Sequence, residues 1–112
     1  MTIDFELSEG SKLAQAHYHE VALQHMRPVS RKYDLAEHQL PTEWVDYWWN
    51  EGRFAFQDKM APTDGFVTIC LQAEELCWGD AGLYLRMPTP ALGGSAVSAA
   101  GTAEQRKQFP VK

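Results

Sequence analysis

The chain has 112 residues, 45% of them hydrophobic and 22% charged, with a net charge of −5 and an isoelectric point near 5.2. That length holds one domain at most, and the apolar share is that of an ordinary globular protein, which argues against disorder and against a membrane span. The acidic balance argues against a nucleic-acid surface, which needs a clustered positive field.

The opening M-T-I-D-F-E-L-S carries acids where a secretory leader carries cations, and no apolar run follows, so the expected location is the cytoplasm. Ser8 or Ser11 is placed to cap a first helix whose apolar positions Ala14, Tyr18, Val21, Ala22, Met26 and Val29 step by threes and fours along one face. Pro28 should kink or end it, and R-K-Y-D-L-A-E-H then leads to a turn at Leu40-Pro41. Thr42 is the expected cap of a second helix, E-W-V-D-Y-W-W-N-E, closed by Gly52. Trp44, Tyr47 and Trp48 share one face of it and Val45 and Trp49 a neighbouring one, so this helix expects cover on more than one side.

Asp64-Gly65 starts a third helix, F-V-T-I-C-L-Q-A-E-E-L-C-W, whose polar residues are confined to Thr68, Gln72, Glu74 and Glu75; the rest is apolar, as in a central helix. Cys70 and Cys77 lie on it about 10 Å apart, too far for a disulfide, and read as buried small apolar side chains. Gly79 and Gly82 bracket a short break. Beyond it, Pro88 and Pro90 cannot both sit in a regular helix, so a kinked or interrupted fourth helix is expected up to Gly101. Gly101 suits a left-handed helix end, and Thr102 with Gln105 forms a capping box that opens a last helix of about two turns before Pro110. A helix that short needs something to pack on. No segment alternates with the period of a strand.

Chemistry-bearing motifs are scarce. His17 and His19 point to opposite sides of a helix, and His25 lies two turns beyond His17, so the expectation for these and His38 is solvated side chains that share no metal. Glu74 and Glu75 are adjacent and diverge on a helix, which suits surface or salt-bridged acids better than an acid/base pair. Gly93-Gly94-Ser95 lacks the lysine and the preceding strand of a phosphate loop. The residues alone therefore describe an acidic domain of four or five helices with no catalytic constellation of its own.

The stretch C-L-Q-A-E-E-L-C-W-G-D-A-G-L-Y-L-R-M-P-T-P-A-L-G-G-S-A-V-S-A-A-G-T-A-E-Q-R-K-Q-F resembles the FAD-dependent acyl-CoA dehydrogenase family. The matching positions are Glu74-Glu75-Leu76, Gly79, Gly82, Gly101-Thr102, Gln105 and Arg106-Lys107. Upstream, Arg27-Pro28, Arg31 with Asp34, Leu40–Trp44 and Glu51–Phe54 also look like the family. The resemblance implies an all-α, up-down bundle-like N-terminal domain over residues 1–112, followed in the family by a β-domain and a C-terminal helical bundle. It implies a segment of an oligomeric enzyme that desaturates acyl-CoA thioesters with FAD, cut before the β-domain and joined by the remaining domains or a partner subunit. The catalytic base and the flavin-binding residues belong to other parts of the family's chain, so neither a catalytic nor a cofactor-binding residue is expected here. Carried over by position, Tyr84, Leu85, Pro88 and Leu92 would line the slot for the acyl tail. Relatives run an unbroken helix through this stretch, so Pro88 and Pro90 would reshape the slot, to suit a bulky acyl group. The competing expectation is a self-contained helical interaction module without redox activity.

Overall fold

Ser8 opens the first helix, α1 (Glu9–Val21), by accepting the Ser11 backbone N–H on its side chain. The structure is a computed structural model that describes residues 5–54, 56, 64–87 and 91–109, leaving out the side chains of Ala91 and Leu92. All regular elements among the described residues are helical.

α1 does not stop at Pro28. A π turn, Ala22–Met26, widens the rod so that the Arg27 N–H reaches back five residues to the Ala22 carbonyl, and α2 (Arg27–Leu35) continues with Pro28 in its first turn. Pro28 offers no N–H to the preceding turn, and the widened turn is where the continuing rod accommodates it. The R-K-Y-D-L segment is thus helix, not connector, and the kink is made by the widened turn.

α3 (Thr42–Tyr47) passes into a second π turn, Trp48–Gly52. Two expectations are corrected here. Thr42 is the first helical residue, preceded by Pro41 with no side-chain cap. Gly52 does not close the helix in a left-handed conformation; among the described residues only Gly65 has positive φ. What Gly52 supplies is space, since a Cβ there would lie 2.8 Å from the Trp48 ring and 3.0 Å from Tyr47.

α4 (Phe66–Leu85) is the longest single α-helix among the described residues, entered through Gly65 at φ 56° and broken at Asp80, between the two glycines expected to bracket a break. α5 (Ala91–Ala100) and α6 (Ala103–Gln108) follow. Counting each π turn as part of its rod gives five rods among the described residues, within the expected all-α, four- to five-helix class. α4 ends at Leu85 and α5 is a separate helix, while Pro88 and Pro90 lie outside the described residues. Gly101 carries no left-handed turn either; its N–H bonds Val97 O at 2.8 Å, where a Cβ would sit 2.5 Å from that oxygen. The capping box is formed as expected, Thr102 and Gln105 exchanging bonds of 2.9 and 3.2 Å.

The core is a cluster of Val21, Ala22, Met26, Trp44, Trp48, Leu76 and Leu83, drawn from the first kinked rod, α3 with its π turn, and α4. Gly79 lets α4 approach the first π turn closely; a Cβ there would lie 2.8 Å from the Ala22 Cβ and 3.0 Å from Met26 Sδ. The molecule is open for its size. Its radius of gyration is 16.5 Å, against about 13 Å for a compact chain of this length. It exposes 8246 Å², against about 6200 Å² for a compact monomer of its mass.

Candidate functional site

α4 meets α1 through a polar seam. Buried Ser11 shares a 2.7 Å hydrogen bond with Thr68, Gln15 donates to Glu75 at 2.9 Å, and His19 Nδ1 lies 2.7 Å from the other Glu75 oxygen. At its end Ser11 Oγ accepts the Asp64 N–H at 3.0 Å, and the Asp64 carboxylate accepts the Ser8 N–H at 2.8 Å. Hydrogen bonding to Ser11 and Ser8 holds the Asp64 carboxyl below its usual range. Thr68 and Glu75 of α4 are therefore spent on α1.

The opposite face of α4 is uncovered and, apart from the exposed Glu74, apolar. Phe66 is 86% exposed, Val67 and Ile69 are exposed beside it, and Cys70 and Cys77 are exposed as well. This corrects the reading of both cysteines as buried. They share the stripe that points away from α1, and no described element covers it. The indoles divide in the same way: Trp44 and Trp48 are buried, Trp49 and Trp78 are about half exposed.

The histidines also differ from expectation. His25 stacks on Tyr47 with ring centroids 3.6 Å apart, and burial pushes its pKa below 6.5 while Glu51 opposes the shift. His17 packs among Tyr18 and Phe56. His19, although exposed, stacks on Trp78, whose ring also carries the Arg27 guanidinium at 4.8 Å. Among the described residues no three His, Cys, Asp or Glu side chains converge as a metal site. Glu74 and Glu75 diverge, Glu74 to solvent and Glu75 to the seam.

Of the residues expected at an acyl-tail slot, Tyr84 is half-buried against the core and Leu85 is 79% exposed. Pro88 and the side chain of Leu92 lie outside the described residues. The segment bearing Tyr84 and Leu85 begins at Asp80, whose backbone is extended (φ −171°, ψ 116°) inside the rod. Asp80 Oδ1 accepts the Leu83 N–H at 2.9 Å, Asp80 Oδ2 bonds the Ser30 hydroxyl, and the Trp44 indole donates to the Leu83 carbonyl at 2.8 Å. A cleft of about 340 Å³ opens beside this segment, between Tyr33, Asp34, Asp80, Leu83 and Arg86. Sequence reading found the flanking glycines and missed Asp80. The available signal was an Asp three residues before Leu83, the spacing of an N-cap.

A second groove, about 390 Å³, lies at the other end of α4 between Tyr18, Phe56, Phe66 and Ile69. At the C-terminal end, α6 packs on α5 and otherwise faces solvent, with Phe109 exposed. No helix among the described residues is long and apolar enough to cross a membrane.

Residues 8–111 match the family model described as acyl-CoA dehydrogenase, N-terminal domain. No curated protein matches the chain, and no solved structure does.

Proposed function

Because the chain belongs to the family of acyl-CoA dehydrogenase N-terminal domains, we propose that it is the N-terminal helical segment of an FAD-dependent acyl-CoA dehydrogenase, lining the acyl-tail slot and inactive alone. The observation that carries this reading is the match over residues 8–111. The uncovered apolar face of α4 supports it, since a contiguous apolar surface of this kind marks a site of association.

The described residues do not by themselves fit a flavin. Its pyrophosphate needs a free helix N-terminus or a basic fork. Here α1 is capped by Ser8 and α6 by Thr102, Asp80 caps the distal part of α4, and the short α3, which has no side-chain cap, carries the Glu43 carboxylate in its first turn. The start of α4 carries the Asp64 carboxylate. Flavin and catalytic base would therefore come from the rest of the enzyme, in a larger, oligomeric assembly that takes an acyl-CoA. This chain's own contribution is apolar wall: Tyr84, Leu85, Pro88 and Leu92 would face the acyl tail. With its acidic balance, and with no described helix able to cross a membrane, the segment would work in the cytoplasm.

The test is co-expression with the β-domain and C-terminal helical domain of an acyl-CoA dehydrogenase, followed by an absorbance spectrum of what co-purifies. A yellow complex that bleaches on adding acyl-CoA is expected. Failure to co-purify, with the isolated chain melting cooperatively and binding no hydrophobic dye, would favour the self-contained interaction module.

A further inference from the structure

We propose that α4 is a jointed rod in which Asp80 acts as a positioning residue, aiming residues 81–87 and with them Tyr84 and Leu85. The assignment of those two side chains to an acyl slot rests on the function proposed above; the joint itself rests on geometry alone.

Asp80 has the anatomy of an N-cap set inside a helix. Its backbone is extended, a conformation any residue adopts without strain, and its Oδ1 accepts the N–H three residues on. In this sense 66–79 and 81–85 are two helices end to end. The flanking glycines have different parts. Gly79 seats the first helix on Ala22 and Met26, and a Cβ at Gly82 would stand 3.1 Å from the capping Oδ1.

The direction of the distal helix is fixed from three elements. Leu83 has its N–H held by Asp80 and its C=O held by the Trp44 indole of α3, so both backbone groups are gripped by side chains. Asp80 is in turn tied to Ser30 on α2. The Trp44 bond is buried, where an unmade partner is costly. Leu83 is thereby an anchored pivot. Immediately beyond it Tyr84 is half-buried and Leu85 exposed, and the 340 Å³ cleft leaves one flank of the lever without packing. A side chain that sets the pivot sets where those two residues point.

The experiment uses the chain itself, labelled for NMR. Asp80→Ala should speed amide exchange at Leu83 by about fivefold, the effect of losing one cap. It should also move the carbon shift of residue 80 out of the extended range and displace the signals of 81–87 while those of 66–78 stay. Asp80→Asn, which retains an acceptor for Leu83, should stay within about twofold of the parent. Trp44→Phe and Ser30→Ala should each displace 83–87, and they carry the test if Asp80→Ala does not fold. Unchanged signals for 81–87 in these variants overturn the joint. In the flavin-bearing assembly, Asp80→Ala should change the ratio of KM values between short and long acyl-CoAs with kcat retained, and Asp80→Asn should restore it. A loss uniform across acyl lengths overturns the positioning role. A joint that responds in the chain, while no assembly turns over acyl-CoA, supports the joint and removes the slot reading.

Discussion

The two faces of α4 differ in cover: one carries both hydrogen bonds and core side chains, and the other leaves apolar side chains in solvent. Toward the first rod the helix turns Thr68 and Glu75, which bond Ser11, Gln15 and His19, and beyond them Leu76 and Leu83, which enter the core. Away from α1 it turns Phe66, Val67, Cys70 and Cys77 to solvent. Hydrophobic burial is the larger driving force, and a polar stripe is normally left outside. A helix that buries Leu76 and Leu83 and two polar side chains on one side, and still leaves Phe66 and Val67 outside, is arranged to sit between two layers, and the first rod is one of them.

The widest separation between the faces should appear in stability. Trp44→Ala removes a fully buried indole together with its bond to Leu83 and should cost about 3–5 kcal/mol in urea unfolding. Phe66→Ser combined with Ile69→Ser should stay within about 0.5 kcal/mol per site, because both side chains already meet water. The double variant should instead lose most of the binding of a hydrophobic dye that the parent shows. An equal loss of stability on both faces would mean that the outer face is covered within the chain, and would remove the reason to look for a second layer.

Next in size is a contrast between two glycines. Gly79→Ala drives a methyl to within 2.8 Å of the Ala22 Cβ, between elements that cannot easily part, and should cost about 1–3 kcal/mol. Gly93→Ala meets nothing within 4 Å and should be neutral or stabilise by up to about 1 kcal/mol through helix propensity. Thermal or urea midpoints of the two variants decide whether close approach of α4 to the first π turn, rather than helix propensity, is what Gly79 provides.

What the sequence disclosed followed from local chemistry. Ser8, the Thr102–Gln105 box, the entry at Asp64-Gly65 and the break between Gly79 and Gly82 are written in a few adjacent residues and are found where expected. The i, i+4 face of Trp44 and Trp48 was legible for the same reason. The errors arose where a neighbour decides. Periodicity marks Cys70 and Cys77 as apolar but cannot say whether another element lies over them. The widening at Ala22–Met26, which carries the helix past Pro28, lies where Gly79 of α4 comes against Ala22 and Met26. The histidine stacks required knowing that Tyr47 and Trp78 come alongside from other helices. Of the candidate site, the slot positions came only from resemblance, and the element that aims them, Asp80, is a cap in a place where helix was already assumed.

The smallest expected effect separates the packed face from solvent by titration. His25 is half-buried on Tyr47, and its folded pKa lies below 6.5 because burial disfavours the charged ring more than Glu51 favours it. Between that lowered value and 6.5 the unfolded chain binds more protons than the folded one, so stability should fall as pH drops through this window and level off below it. His25→Phe keeps a stacked ring and removes the proton, so the difference in stability between parent and variant should be constant above pH 6.5 and tilt against the parent below it. His19, exposed on α1 beside Glu75 and Trp78 and away from Tyr47, serves as the control: His19→Gln should leave the His25 component of the pH profile in place. A parent and a His25→Phe variant with parallel profiles would mean that the Tyr47 stack does not shield the ring, and that the contact between the first π turn and α3 is looser than its 3.6 Å spacing implies.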